Sequence, residues 1–320
     1  MTIHSKDAKI YILYENPDWL APLAEELSAQ GLPFEGWNLA EGQIDINTTP
    51  PLGVFFNKMS ASSYTRGHLH AKDLTAPILA WLEAHNRRVV NKRRALQLEM
   101  SKAEQQIALT KAGFHTPATR VAVGKKAVLK AAQSFGEEPF IVKPNQGGKG
   151  LGVSLFKSVP ELESYLEMVD MASWTVDGVL LVQAYIPPQH QQVIRMEFVA
   201  GKFMYAVRVN TGGGFELCPA DACEVDPSQP NKTVPSFEIM PDFHIPEIAQ
   251  CEAFLKANDI EIAGMEYLED TAGKRYFYDV NTNTNYNTEA EIKAGLKLSG
   301  MKHLTHFLGQ ELQLLQPASL

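Results

Sequence analysis

Two lysines and a glycine-rich loop lie between two apolar runs at residues 139–156. Lys143 ends the first run, and the loop after it contains Gly147, Gly148, Lys149, Gly150 and Gly152. Glycines let backbone N–H groups face a phosphate chain without interference from a Cβ atom. The spacings of a Walker A loop and of a dinucleotide fingerprint are absent, and the residues that follow alternate as in a strand. The segment predicts a strand, a phosphate-binding flap and a second strand; the alternative is an ordinary glycine-rich hairpin.

Three oxygen-bearing side chains can meet on a second hairpin near the end of the chain. Glu266 lies on one face of a predicted strand, and Asp279 and Asn281 share a face of the next. Residues 270–274 between the strands have the composition of a turn. Mg²⁺ prefers one or two carboxylates together with substrate phosphates, so antiparallel pairing here predicts a metal–ATP site. A solvated polar hairpin face is the alternative.

Candidate substrate contacts come from polar loops. The loop from residue 58 to 68 carries cations and hydroxyls suited to a carboxylate, among them Lys58, Ser60, Ser62 and Arg66. A glycine-led loop at 211–226 holds Glu216, Asp221 and Asp226, which could face an amine. Asn283 and Asn285 follow the metal strand and are interpreted as substrate contacts in preference to turn caps. Each loop could equally be solvated surface.

Periodicity places these residues on a mixed α/β (α+β) framework. Apolar runs and alternation predict strands at 9–13, 53–56 and 88–91, and the residues from 180 onward are mostly strands. Helical spacing predicts helices at 19–30, 71–85, 99–112, 126–135, 159–169 and 247–258, and a terminal helix pair at 289–307 broken at Gly300. The first part of the chain therefore resembles a small doubly wound domain.

Composition excludes several classes of protein. A hydrophobic content of 45% and a net charge of −8 over 320 residues indicate a globular protein and argue against nucleic-acid binding. No apolar run approaches the roughly 20 residues that span a bilayer. The polar amino terminus predicts no signal peptide, and three cysteines suit a reducing cytoplasm. Cys218 and Cys223 lack a zinc-site spacing and are interpreted as reduced thiols.

Several segments in order resemble the ATP-grasp superfamily, and within it the RimK-like amino-acid ligases that include glutamate ligases. They are Ser101-Lys102 with residues 112–119, Phe140–Pro144 with the glycine flap, Leu181–Ile186, residues 194–208, Gly264–Glu266, Asp279–Asn281, and residues 54–62 upstream. The resemblance spans nearly the whole chain. It implies an ATP-grasp fold with an amino-terminal pre-ATP-grasp domain at 1–97, a small subdomain with the flap at 98–182, and a carboxy-terminal subdomain with the metal site at 183–320.

The resemblance also implies roles for individual residues. Lys102 and Lys143 would anchor the ATP phosphates, and the flap would exclude water around Gly148 and Gly150. The hinge that receives adenine through backbone groups would be Gln183, Ala184, Tyr185 and Ile186. Glu266, Asp279 and Asn281 would bind Mg²⁺. The catalytic arginines would be Arg195 and Arg208, with Arg208 near an acyl phosphate.

Within the segments that resemble the family, the chain departs from the family pattern at five positions. Asp279 stands where the family usually has Glu, and Glu266 where it usually has Asp, which keeps the charge and exchanges the reach. Ala184 replaces a hinge glutamate, and Val193 replaces an acidic residue before Arg195. Lys58 replaces an arginine in the first-domain loop, exchanging a bidentate fork for a point charge.

The expected function is a Mg²⁺- and ATP-dependent carboxylate–amine ligase that forms an amide through an acyl phosphate. Its substrates would be an amino acid, an amine or a short peptide, and it would be cytoplasmic, with homo-oligomer formation possible and no nucleic-acid or membrane partner. One alternative is a phosphotransferase of the same fold acting on a hydroxyl group. The other is a non-catalytic nucleotide-binding partner protein.

Overall fold

The computed structural model describes residues 8–148, 150–211 and 236–315. Its first sheet is parallel, in the order β2-β1-β3-β4. The strands are β1 (Lys9–Tyr14), β2 (Phe34–Asn38), β3 (Gly53–Asn57) and β4 (Arg88–Val90), and the connecting helices are α1 (Pro17–Ala29) and α2 (Ala71–Ala84). β2 is not predicted from the sequence, because it is largely exposed and contains Gly36 and Asn38, which strands disfavour.

Helices α3 (Arg93–Met100) and α4 (Lys102–Lys111) replace the single helix predicted at 99–112. The break is at Ser101, whose backbone is extended and whose Oγ accepts a hydrogen bond from the Glu104 N–H. Serine is a favoured residue at this capping position, so a new helix begins directly after it. Lys102 is therefore the first residue of α4.

The second sheet is antiparallel, in the order β5-β8-β6-β7. Its strands are β5 (Thr119–Val123), β6 (Phe140–Pro144), β7 (Ser154–Phe156) and β8 (Val179–Ala184); its helices are α5 (Lys125–Gln133), α6 (Val159–Met168) and α7 (Met171–Trp174). Phe140, Val142 and Leu180 lie in the core between this sheet and its helices. β6 and β7 are the strands predicted on either side of the glycine loop. The boundary expected at residue 182 falls inside β8.

The third sheet is also antiparallel and has the order β11-β10-β9-β12-β13. Its strands are β9 (Gln192–Val199), β10 (Lys202–Asn210), β11 (Ser236–Met240), β12 (Ala263–Glu269) and β13 (Arg275–Asn281). The remaining helices are α8 (Glu247–Ala257), α9 (Thr288–Lys293) and α10 (Gly300–Leu314). The predicted terminal helix pair is present, but Gly300 begins α10 instead of ending its predecessor.

Two cores cover the faces of the third sheet. Met196, Phe198 and Met265 pack against residues of α3, α4 and α8. Val207 and Val209 face the other way, into a core shared with α10 and with strands of the first sheet. Because α10 also contacts α1, β1 and β3, the end of the chain packs on its beginning. None of the described helices is long and apolar enough to cross a bilayer.

Candidate active site

A cavity of about 430 Å³ lies where the three sheets approach one another. With three exceptions, its walls contain every predicted site residue that the structure describes. These wall residues are Ser60, Ser62, Lys102, Lys143, Gly147, Gly148, Gly150, Gln183, Ala184, Tyr185, Ile186, Arg195, Glu266, Asp279, Asn281, Asn283 and Asn285. Lys58, Arg66 and Arg208 do not line the cavity. Lys149 and the acidic residues Glu216, Asp221 and Asp226 lie outside the described residues, as do Cys218 and Cys223.

The β12–β13 hairpin brings the three predicted metal ligands together. Its register pairs Glu266 with Asp279 and Gly264 with Asn281. The Asn281 amide donates to Glu266 Oε1 at 3.3 Å and to Asp279 Oδ2 at 3.2 Å. Among the described residues no group of three His, Cys, Asp or Glu side chains is arranged for a metal, so the donor set is two carboxylates and one amide. That set fits Mg²⁺, which completes its shell with phosphate oxygens and water.

Fixed cations hold the two carboxylates in place. The Lys102 ammonium contacts Asp279 Oδ1. Burial alone would raise the pKa of Asp279, but the charge and hydrogen bond of Lys102, together with the charges of Lys143 and Arg195, lower it. Burial also raises the pKa of Glu266; the charge of Arg195 opposes that change, and the charge of Asp279 adds to it. Asp279 is thus the more strongly ionised of the two carboxylates.

Arg195 is buried between two carboxylates. Its Nε donates to Glu197 Oε1 at 2.5 Å and its Nη1 to Glu266 Oε1 at 2.7 Å. Burial disfavours the charged guanidinium, but the charges of Glu197 and Glu266 outweigh it and raise the pKa of Arg195. Gly264 provides the space for this group, because a Cβ there would lie 2.3 Å from Arg195 Nη2. The guanidinium is therefore a fixed positive charge in the cavity wall.

Lys143 is a second buried cation in the wall, on β6. Burial lowers its pKa to about 8, and the neighbouring charge of Lys102 acts in the same direction. Its Nζ lies 5.9 Å from the ring centre of Tyr278, whose hydroxyl donates to Glu266 Oε2 at 2.9 Å. An anion entering the cavity would meet an ammonium that has little competing solvent, which strengthens the attraction.

Two buried side chains hold the backbone next to the carboxylates. The Gln105 amide donates to the Val280 carbonyl at 2.8 Å and accepts from the Val280 N–H at 3.0 Å, directly beside Asp279 and Asn281. Glu99 accepts from the Ala61 N–H at 3.1 Å and from the Thr282 N–H at 2.7 Å. Sequence reasoning missed Gln105, Glu99 and Tyr278. Gln105 and Glu99 do not belong to any recognisable sequence motif. Tyr278 could have been indicated only by its position next to Asp279.

The end of β8 forms a hinge with one open backbone donor. The Ala184 N–H donates to the Ala118 carbonyl at 2.9 Å and the Tyr185 N–H to the Pro139 carbonyl at 3.2 Å. The Ile186 N–H has no partner among the described residues. Apolar side chains flank this part of the cavity, including Pro117, Ile141 and Leu268. A flat heteroaromatic ring could stack here and accept a hydrogen bond from Ile186.

The flap lies against the loop that follows β3. A Cβ on Gly148 would lie 3.5 Å from Ser62 Cβ, and one on Gly147 would lie 3.6 Å from Tyr64 Oη. The Trp174 indole donates to the Gly152 carbonyl at 2.8 Å and anchors the far side of the flap. Gly152 has a φ of +73°, and a Cβ there would lie 2.9 Å from Pro144 Cγ. The flap thus covers the cavity in a conformation that only glycine allows at residue 152.

Comparison with known proteins identifies this arrangement. Residues 100–216 match the family model of the RimK-like ATP-grasp domain. The ATP-grasp ligase PsnB in complex with its minimal precursor superposes with a TM-score of 0.67 at 16% identity, covering 96% of this chain and 99% of that one. This is an ATP-grasp fold. The D-alanine–D-alanine ligase from Bacillus anthracis superposes with a TM-score of 0.65 at 16% identity, covering 96% and 98%.

One curated sequence relative is the glutathione biosynthesis bifunctional protein GshAB of Streptococcus agalactiae serotype V. It is 36% identical over 73 residues, which are 23% of this chain and 10% of that protein. The match therefore covers about a tenth of the length of this relative. At identities of 13–17%, the solved structures show the fold and not the substrate.

The structure does not place Arg208 in the cavity wall, where the sequence predicted a catalytic arginine. Val207 and Val209 pair with Arg195 and Val193, which line the cavity, so Arg208 between the two valines faces the opposite side of the sheet. Its side chain is 38% exposed, and Nη1 donates to Glu238 Oε2 at 2.8 Å. The motif located the strand correctly, but the period-2 alternation excludes Arg208 from the site.

Lys58 and Arg66 were predicted to contact the substrate, but neither side chain lines the cavity. The Arg66 guanidinium lies 4.6 Å from the ring centre of Trp19 and contacts both carboxylate oxygens of Glu15. The Arg66 guanidinium is therefore already bound to the carboxylate of Glu15. Lys58 is buried behind Asn283 and Asn285, and its Nζ donates to their side-chain oxygens at 2.8 and 3.0 Å. The two cations support wall residues and do not form the wall themselves.

We expect Gly152→Ala to reduce turnover and to weaken ATP binding at least about tenfold, because the methyl group strains the backbone and presses on Pro144. Steady-state kinetics with varied ATP measures this. The matched control is Gly136→Ala, which also has a positive φ of +64° but has nothing within 4 Å of the new Cβ. Both variants carry the strain of a positive φ, but only Gly152→Ala also meets Pro144, so it should lose more thermal stability. Equal ATP kinetics in the two would contradict the role of the flap.

Proposed function

We propose that this protein is an ATP-dependent ligase that joins a carboxylate to an amine through an acyl phosphate. The observation that carries the proposal is the convergence of three cations and two carboxylates in one covered cavity. The cations are Lys102, Lys143 and Arg195, and the carboxylates are Glu266 and Asp279. The ATP-grasp fold and the RimK-like match support the same reaction class.

Lys102 and Lys143 are the groups that would bind the ATP phosphates. A phosphoryl group in transfer spreads charge over its oxygens, so catalysis depends on positioned cations more than on covalent chemistry. Lys102 contacts Asp279 and can share its three N–H groups with a phosphate. Lys143 has no carboxylate in contact among the described residues, so its charge is available to an anion.

Glu266, Asp279 and Asn281 are the residues that would bind Mg²⁺, which would neutralise charge on the ATP phosphates. Arg195 holds the Glu266 carboxylate from one side and the Tyr278 hydroxyl holds it from the other. The flap and Trp174 would exclude water, and that protects an acyl phosphate from hydrolysis. Adenine would lie against the hinge and accept from the Ile186 N–H.

The substrates we propose are an amino acid or a short peptide together with an amine. The neighbouring D-alanine–D-alanine ligase acts on an amino acid by name, and PsnB was solved with a precursor. The polar end of the cavity, with Ser60, Ser62, Asn283 and Asn285, is suited to such groups. Cytoplasmic location and homo-oligomer formation stay predictions.

Release of ADP tests the reaction. Purified protein with Mg²⁺ and ATP is screened against pairs of amino acids and small amines, with each member of a pair also supplied alone. A ligase needs both the carboxylate and the amine before ADP accumulates, and mass spectrometry should show one amide per ADP. ADP release with a hydroxyl compound alone, giving a phosphate ester, would indicate a phosphotransferase. ATP binding without any turnover would indicate a non-catalytic partner protein.

Substitution of Arg195 on β9 and of Arg208 on β10 tests which of the two arginines contributes to turnover. Arg195→Met should reduce turnover at least about a hundredfold, because it leaves Glu197 and Glu266 buried without their cation. Arg208→Met removes the same charge from the outer face of the sheet, where a surface ion pair contributes little, and should keep turnover within about twofold. The ADP-release assay compares them. A large loss in Arg208→Met would restore this residue to the site.

A further inference from the structure

The Lys58 ammonium is buried among neutral acceptors. Its side chain is only 4% exposed, and Nζ donates to Asn283 Oδ1 at 2.8 Å, Asn285 Oδ1 at 3.0 Å and the Thr284 carbonyl at 3.4 Å. No carboxylate contacts it among the described residues; Glu99 and Glu15 act on it only at longer range. A buried cation without a counter-ion leaves positive potential around its acceptors.

This contact fixes the orientation of two amides. An ammonium group can only donate, so the oxygen of each asparagine must face Lys58 and each NH₂ group must point away from it. Both asparagines line the cavity. Asn283 Nδ2 is buried and has no partner among the described residues. A buried donor without an acceptor is unfavourable, so a ligand that supplies the acceptor would be stabilised there.

The nearby groups favour an anionic acceptor. Each amide is polarised by the ammonium at its oxygen, which makes the N–H groups stronger donors. The Ser60 and Ser62 hydroxyls, 3.0 Å apart, line the same end of the cavity. Glu99 is also in this wall, but its two oxygens already accept from Ala61 and Thr282. An oxygen that carries negative charge fits these donors better than a neutral amine or hydroxyl does.

We propose that Lys58 is a positioning residue that makes Asn283 and Asn285 a carboxylate-binding pair for a free carboxylate of the amino-acid or peptide substrate. This inference rests on the proposed ligase function and names the group that one substrate must carry. It assigns to Lys58 an action through the two amides in place of a direct contact.

Asn285→Asp and Asn283→Asp are the sharpest tests. Each keeps an oxygen for Lys58, so the loop stays anchored, but each replaces the N–H donor by an acceptor that repels a carboxylate. We expect the KM of the carboxylate-bearing substrate to rise roughly tenfold to a hundredfold, with the KM of ATP within about twofold. Lys58→Met should do the same. The control is Asn47→Asp, an equal charge change at an exposed position of the first domain.

Direct binding separates this inference from the proposed function. Thermal shifts are recorded with ADP and Mg²⁺ plus each of the twenty L-amino acids, and again with the corresponding amino-acid amides, which lack the carboxylate. We expect at least one acid to stabilise the wild type more than its amide does, and Asn285→Asp to abolish that difference. Equal shifts for every acid and its amide would overturn the carboxylate pair, even if ADP release proves the ligase. Absence of ADP release with a preserved acid preference would instead reject the ligase and keep the pair.

Discussion

Asp279→Asn should lower turnover by at least about a thousandfold, a loss of roughly 4 kcal/mol in transition-state stabilisation at about 1.4 kcal/mol per tenfold. Asp279 is the carboxylate whose pKa is lowered: burial would raise that pKa, but Lys102, Lys143 and Arg195 together more than offset burial. It is therefore ionised at neutral pH, and the amide removes a charge that is present in the working enzyme. ADP release at saturating ATP and varied Mg²⁺ measures the effect, and the Mg²⁺ requirement should rise as well.

The substitution also leaves Lys102 without its carboxylate, so the variant should be folded but less stable. A loss of fold is recognised by circular dichroism and by the thermal transition. Asp270→Asn is the matched control, because Asp270 lies in the turn of the same hairpin and accepts backbone hydrogen bonds that an asparagine oxygen can also accept. Its turnover should stay near wild type. A rate above about a tenth of wild type in Asp279→Asn would reject the metal site.

The β12–β13 hairpin shows why part of this site can be predicted from the sequence. Glu266 and Asp279 come from strands joined by a tight turn, so strand alternation and antiparallel pairing determine which side chains meet. The flap is predictable for the same reason, since β6, the loop and β7 are consecutive in the chain. The local sequence was sufficient to predict which side chains meet wherever the contacting residues lie within one hairpin.

Long-range pairing was not readable in the same way. Arg66 and Lys58 have the composition of a carboxylate-binding loop, but their partners Glu15 and Asn283 lie 51 and 225 residues away. Nothing in either segment indicates that they will meet. The prediction for Arg208 differs from the structure for another reason. The motif at residues 194–208 located the strand, but the sheet face on which a side chain lies depends on the strand register, and a shift of one residue reverses it.

Helix boundaries near the site depended on a single cap. Residues 99–112 have continuous helical spacing, and the extended backbone of Ser101 divides them. The division matters because the Lys102 N–H donates to the Asn145 carbonyl at 3.0 Å, which ties the start of α4 to the end of β6. The Ser101-to-Glu104 spacing is a capping signature, so this feature was available from the sequence.

Lys143→Met should weaken ATP binding at least about a hundredfold, because it removes a desolvated charge-assisted contact to phosphate. The same residue should make ATP affinity depend on pH. Burial lowers the pKa of Lys143 to about 8, so the ammonium is charged below that pH and neutral above it. Bound phosphate favours the charged form and raises this pKa in the complex. The apparent KM of ATP should therefore rise by about tenfold per pH unit above pH 8.

The Lys143→Met variant is its own control for that pH dependence. It has no proton to lose at residue 143, so its ATP affinity should be weak and nearly constant between pH 7 and about pH 9.5. Lys58, whose pKa burial also lowers to about 8, titrates in the same range but should change the KM of the carboxylate substrate and not that of ATP. Calorimetry with a non-hydrolysable ATP analogue separates the two lysines, because no second substrate is present. Unchanged nucleotide affinity in Lys143→Met would return residues 139–156 to an ordinary glycine-rich hairpin.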